Sequence, residues 1–153
     1  KLADVLIEHA GAKDLEDLLR GYTVNEYQVG PEAAPLVFEM AEQGDRVARE
    51  LIHWAGTELG EMINGVVRQL DFQELSFDVV MTGSMFKGGE LLIAPMRETV
   101  LKLAPNARFV RLNASPVVGA VMLGFEADGV ELTPSVRQTI IDTFPVNGKI
   151  PVR

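Results

Sequence analysis

The chain of 153 residues contains no cysteine and only two histidines, His9 and His53. Without a thiol, the chain itself offers no disulfide bond, no iron–sulfur cluster and no cysteine nucleophile. Zinc sites in proteins draw mainly on cysteine and histidine ligands, so this composition also argues against a zinc site. We therefore predict no metal site in this sequence.

Positive charge is also scarce, because 14 Lys and Arg residues face 22 Asp and Glu residues and leave a net charge of -8. Nucleic-acid backbones are bound by clustered Lys and Arg, so we predict no nucleic-acid partner. A single nucleotide remains compatible with this charge, because it needs only local donors and a bound cation.

Long apolar runs are absent too: no stretch reaches the roughly 18 residues that suggest a membrane span. The first ten residues already include Asp4 and Glu8 and have no long apolar segment, so we expect no signal peptide. Hydrophobic residues nevertheless make up 47% of the chain, which is enough for a globular core. These features predict a cytoplasmic protein without a membrane partner.

Most of the chain has helical periodicity. The strongest signal runs from Val47 to Leu70 behind a capping Asp45, with apolar residues at steps of three and four. Three glycines inside it each cost about 1 kcal/mol relative to alanine, which favours close packing against another backbone for some of them. Two further helices are predicted at the start of the chain: Leu2–Ala10, and a short one from Leu15 that is capped by Asp14 and ends before Gly21. Three more are predicted later: one opened by Pro31, one over Val117–Phe125, and one that starts at Thr133-Pro134. The tail from Pro145 to Arg153 is predicted to be irregular.

A strand, a turn and a helix are predicted in the middle of the chain. The apolar run Phe77–Met81 breaks at Gly83-Ser84, and helical periodicity resumes over Glu90–Leu103. Such a turn is expected to bring free backbone N–H groups and the positive end of a helix dipole together, which suits a nucleotide. The structural alternative is an ordinary strand-to-helix turn with Ser84 as a cap.

A second strand, Arg108–Leu112, follows the helix and predicts a parallel, right-handed strand–helix–strand unit. Two parallel strands do not make an independent sheet. The sequence therefore predicts an α/β protein that is part of a larger fold.

Several segments together resemble the C-terminal half of the BadF/BadG/BcrA/BcrD-type ATPases, which include the N-acetylglucosamine kinases and belong to the sugar kinase, Hsp70 and actin superfamily. The resemblance extends from about Ala34 to Phe125 and depends on the order and spacing of its segments. These are Ala34-Pro35-Leu36-Val37 with Ala41-Glu42-Gln43-Gly44-Asp45, Arg49 to Gly60, Val79 to Met96, and Ser115 to Gly124.

The resemblance implies a partial ribonuclease-H-like, actin-like ATPase lobe that is rich in helices and has a short parallel sheet. It implies ATP as the cofactor, Mg2+ bound through the nucleotide, and an amino sugar as the substrate of the complete protein. It also implies a division into N-terminal helices (1–30), the ATPase lobe (31–127) and a C-terminal helix and tail (128–153), together one compact unit of a longer protein. The nucleotide-binding residues would be Thr82, Gly83, Ser84, Met85 and Lys87. For Lys87, the alternative is a lysine that is merely solvated. The resemblance also implies that Pro116–Gly124 is an interdomain-connecting helix.

The family's phosphate-binding turns, acidic catalytic base and sugar-binding residues would all lie upstream of this sequence. We therefore assign no catalytic residue and expect the chain to be the adenosine-side lobe of an amino-sugar kinase, inactive alone. One alternative is an ATPase activator of a dehydratase or reductase, against which the missing cysteine argues. Another is a non-enzymatic regulatory or interaction domain, which predicts a homodimer or a complex with another chain through the sheet edge.

Overall fold

The computed structural model describes residues 1–112 and 114–144, so the predicted irregular tail lies outside the described residues. The chain divides into two compact units. Unit 1 comprises Lys1–Val79 and Gly83–Phe109, and unit 2 comprises Val80–Thr82 and the chain from Val110 onward. The predicted division at residues 30 and 127 stays a prediction.

Unit 1 begins with two short helices, α1 (Leu2–Ala10) and α2 (Leu15–Thr23). As predicted, the side chain of Asp14 caps α2 by accepting the N–H of Asp17. The prediction that α2 ends before Gly21 was wrong, because Gly21 lies inside the helix. The ring of Tyr27 packs against Gly21, whose carbonyl accepts the N–H groups of Glu26 and Tyr27. Gly21 thus serves packing and not helix termination.

The next helices are α3 (Ala34–Glu42), which follows a 3-10 turn at Pro31–Ala33, and α4 (Arg46–Gln69). Asp45 links the start of α4 to α1. Its carboxylate accepts the N–H of Ala48 at 3.0 Å and the N–H of Leu2 at 2.9 Å. These backbone N–H groups hold the pKa of Asp45 below its ordinary value. The predicted cap of the long helix is therefore confirmed and is also a tertiary contact.

Helix α5 (Glu90–Leu103) packs along α4, and together they form the centre of unit 1. The predicted close approach is confirmed at Gly56 and Gly60. A Cβ atom at Gly56 would lie 2.6 Å from Pro95 Cγ, and one at Gly60 would lie 2.6 Å from Thr99 Cβ. Gly65 faces open space instead. Among the described residues, the largest fully buried side chains lie at this contact or next to it: Leu92, Met96, Val67 and Val100.

The sheet has two strands, β1 (Asp78–Met81) and β2 (Arg108–Arg111). The N–H of Arg108 donates to the carbonyl of Phe77, and the N–H of Leu112 donates to that of Met81. The equal steps along both strands make the pairing parallel, as predicted. Val79 and Phe109 pack with the core around Val67 and Val100, whereas Val80 and Val110 are 56% and 42% exposed.

Unit 2 contains α6 (Pro116–Ala127) and α7 (Pro134–Thr143), which pack against each other. The hydroxyl of Thr133 accepts the N–H of Val136 and caps α7. The buried residues of these two helices are Val118 and Ile140. Unit 2 is therefore much less densely packed than the α4–α5 region of unit 1.

At the level of class, the prediction of a helix-rich α/β fold with a short parallel sheet is confirmed. No helix within residues 1–112 and 114–144 has both the length and the apolar character required to cross a bilayer.

Candidate functional site

The candidate site lies at the carboxyl end of β1, where the strand turns toward α5. Met81 is buried at the end of the strand, and Thr82 and Gly83 after it are exposed. Gly83 has φ 106° and ψ 166°, a backbone conformation that side chains disfavour. Among the described residues, no atom outside its chain neighbours lies within 4 Å of the position that its Cβ would occupy. Gly83 is therefore required for the backbone turn, and the space beside it is open.

A 3-10 helix, Ser84–Gly88, follows Gly83 and separates it from α5. The α-helix begins at Glu90, as predicted, so its positive end lies several residues beyond the Gly83-Ser84 turn and not at the turn itself. Gly89, with φ 66° and ψ −149°, makes the second break in the backbone and precedes α5. The helical signal in the sequence could not show this short element, because Met85, Phe86 and Lys87 suit a turn as well as a helix.

The alternative role of Ser84 as a helix cap is also not found. No side chain in the described part of the chain caps the 3-10 helix, and its N-cap residue is Gly83. The first N–H groups of any helix lack partners within the helix. The amides at the start of Ser84–Gly88 are thus left for solvent or a ligand.

The five residues predicted to bind a nucleotide all lie within residues 82–87 and are exposed. Met85 is 55% exposed, and Thr82, Ser84 and Lys87 are exposed as well. Between them, Phe86 is half-buried and packs against the core that contains Leu92 and Ile52. The turn therefore presents backbone amides, a hydroxyl, a thioether and an ammonium group while one aromatic residue attaches it to the core.

A contact that the sequence did not predict holds the C-terminal end of this turn. Gly88 lies against the ring of Phe38 in α3, so closely that a Cβ at Gly88 would overlap ring carbons. In the sequence, Gly88 and Gly89 are two consecutive glycines. Only the structure shows that the first glycine accommodates an aromatic ring and the second a positive φ angle.

The candidate turn does not line either of two depressions on the described surface. Two open depressions of the described surface, about 490 and 510 Å3, lie elsewhere: one at the start of α4, around Asp45 and Val47, and the other between α6 and α7. Neither is lined by residues 82–87. Among residues 1–112 and 114–144, no three His, Asp or Glu side chains come together in a way that could hold a metal ion.

Comparison with known proteins gives one informative relative. The chain is 27% identical over 130 residues to the N-acetyl-D-glucosamine kinase of Dictyostelium discoideum, an alignment that covers 82% of this chain and 41% of the relative. This similarity relates the chain to sugar kinases. The chain spans less than half of the relative's length. No protein-family profile matches the chain, and no solved structure matches it significantly.

Proposed function

We propose that this chain is the adenosine-side, C-terminal lobe of an ATP-dependent amino-sugar kinase of the N-acetylglucosamine kinase type. The observation that carries the proposal is the similarity to an N-acetyl-D-glucosamine kinase across 82% of the chain. The lobe would be ribonuclease-H-like and of the BadF/BadG/BcrA/BcrD type, in a protein that works in the cytoplasm where ATP is available. Its proposed ligands are ATP with Mg2+ and, in the complete protein, an amino sugar.

The structure of the turn supports a role on the adenosine side. In open α/β proteins, ligands bind outside the carboxyl ends of the parallel strands. Gly83 lies at that end of β1 and has no side chain to block the close approach of a ribose. Ser84 and the amides that follow it offer hydrogen-bond donors, and Met85 offers an apolar surface to a base. These groups suit a neutral nucleoside better than a triphosphate.

The phosphate chemistry must then come from elsewhere in the complete protein. Phosphoryl transfer depends on positioning and on Mg2+ and basic groups that neutralise the phosphate oxygens. In the predicted site only Lys87 carries a positive charge, and the chain as a whole carries -8. We therefore propose that this chain binds the nucleoside part of ATP and does not phosphorylate a sugar by itself.

Calorimetric titration with a series of ligands tests whether the chain binds the nucleoside part of ATP and not the phosphates. Adenosine, AMP, ADP and ATP should bind with similar affinities, and Mg2+ should change them little, because this chain would contact mainly the part that all four share. Tripolyphosphate should not bind. Affinity that rises steeply with each phosphate would contradict the adenosine-side assignment.

A matched pair of glycine variants shows whether the turn is the binding site. Gly83→Val should abolish adenosine binding, because valine disfavours φ 106° and would fill the open space. Gly44→Val is the control, since Gly44 also has a positive φ of 93° and open surroundings but lies between α3 and α4. Equal loss in both variants would indicate general destabilisation, and no loss in either would place binding elsewhere.

An assay that couples ADP release to sugar phosphorylation tests the proposed inactivity. N-acetylglucosamine, ATP and Mg2+ should give no sugar-dependent turnover above that of a Gly83→Val sample. Sugar-dependent turnover by the chain alone would show that it holds the phosphate site and the catalytic base as well. If the folded chain binds no nucleotide and forms a stable dimer in sedimentation, the non-enzymatic interaction domain becomes the better assignment.

A further inference from the structure

The contact between Phe38 and Gly88 joins the candidate nucleotide turn to a helix that precedes it by more than forty residues in sequence. Phe38 is half-buried on α3 and packs against the core that contains Ala41, Ile52 and Leu92. Its ring covers Gly88, the last residue of the 3-10 helix. The turn is thus attached to the core at Phe86 and again at Gly88.

The turn depends on these attachments because its own structure is weak. A 3-10 helix has poor hydrogen-bond geometry and rarely extends beyond a few residues. The one that follows Gly83 spans five residues and has no side-chain cap. The glycines on either side, Gly83 and Gly89, allow the backbone to turn but restrict it little. Packing by Phe86 and Phe38 therefore adds to the few contacts that hold the 3-10 helix in one conformation.

We propose that Phe38 is a positioning residue for nucleotide binding. Its ring, packed on Gly88, holds the turn from Gly83 to Gly89 in the conformation that presents its amides to the ligand. This inference rests on the proposed function, and it adds that α3 controls the affinity of a site it does not itself form.

The test is a double-mutant cycle with Phe38→Ala and Gly88→Ala in the whole chain, with adenosine as the probe in calorimetry. Each single variant should weaken adenosine binding about tenfold, because coupling between contacting residues is of order 1 kcal/mol. Alanine at 88 clashes with the ring, whereas alanine at 38 removes the ring and frees the turn. The double variant should therefore lose no more affinity than Phe38→Ala alone.

Hydrogen exchange followed by mass spectrometry gives a second readout that a general loss of stability would not reproduce. In Phe38→Ala, amides of residues 84–88 should exchange faster while those of the middle of α5 keep their protection. Phe72→Ala is the matched control, because Phe72 is also half-buried but packs with the other core, beside Phe77. That variant should change adenosine affinity and exchange in the turn by less than about twofold. Phe38→Leu, which keeps an apolar group over Gly88, should lie between the wild type and Phe38→Ala.

The outcomes separate this inference from the function on which it rests. If the wild type binds adenosine and the Phe38 variants behave like Phe72→Ala, the positioning role is wrong and the proposed function stands. If the losses of the two single variants simply add in the double variant, the contact does not set the conformation of the turn, and the inference is again wrong. If the folded wild type binds no adenosine, the proposed function fails and the inference fails with it.

Discussion

Helices α4 and α6 are both rich in apolar residues and both contain glycines, yet their surroundings differ completely. In α4, Gly56 and Gly60 lie against α5, and a side chain at either would collide with it. In α6, no described residue beyond the adjacent turns of the helix lies within 4 Å of a Cβ added at Gly119 or Gly124, and Val118 is buried. The same sequence feature thus accompanies a tight helix–helix contact in one unit and an open surface in the other.

The difference shows that glycine in a helix indicates close packing only where a partner is present. A helix that is apolar on all sides is normally buried. Helix α6 has this character, but Leu123 and Phe125 are 68% and 39% exposed within the described residues. This arrangement agrees with the proposal that the chain is one lobe of a larger kinase.

Leucine truncation should separate the two helical regions most clearly. Leu92 on α5 is 1% exposed and Leu123 on α6 is 68% exposed. Leu92→Ala should lower the free energy of unfolding by about 2–5 kcal/mol, because it leaves a cavity at the α4–α5 contact. Leu123→Ala should change it by less than about 0.5 kcal/mol. Chemical denaturation measures both, and similar losses would mean that α6 is covered in this chain.

Adding a methyl group at Gly56 of α4 and at Gly124 of α6 should change the stability of the chain in opposite directions. Gly56→Ala should destabilise the chain by about 1–3 kcal/mol, since its Cβ would collide with the backbone of α5 at Leu92. Gly124→Ala should instead stabilise it by up to about 1 kcal/mol through better helix propensity.

Gly65→Ala is the control within α4, because Gly65 faces open space in the same helix. It should behave like Gly124→Ala in thermal and chemical denaturation. If Gly65→Ala lost as much stability as Gly56→Ala, contact with α5 would not explain the loss in Gly56→Ala.

The pH dependence of the Asp45 cap should be the smallest of these effects. The pKa of Asp45 is lowered in the folded chain by the N–H groups of Ala48 and Leu2, so its charged form stabilises the fold. That contribution is present above the unfolded pKa of about 3.9 and is lost as the pH falls through the lower folded value. Asp45→Asn should therefore be less stable than the wild type at pH 7, and the difference should shrink below about pH 4.

Asp45→Ser is the control for this prediction, because serine also caps helices but does not titrate in this range. The stability of Asp45→Ser relative to Asp45→Asn should not depend on pH. A constant difference between the wild type and Asp45→Asn down to pH 2 would mean that the charge of Asp45 plays no part in the cap.

Local signals predicted much of this fold, because capping and periodicity act over a few residues. The caps at Asp14 and Asp45 and the bounds of α5 could be read in this way, whereas the parallel pairing of β1 with β2 followed from the crossover rule for strand–helix–strand units. The end of α2 could not, since Gly21 is held by a residue six positions later. The five predicted binding residues follow β1 as one exposed segment, but their role stays a prediction.

The sequence alone indicates most of the helical segments, the start of α4 after Asp45, and a backbone turn at Gly83 after a short strand. These features depend on hydrogen bonds and backbone preferences within a few residues. The folded chain alone shows which glycines of α4 touch α5, that a 3-10 helix separates Gly83 from α5, and that Phe38 covers Gly88. Those outcomes depend on contacts between residues far apart in sequence, and no local pattern encodes which surfaces will meet.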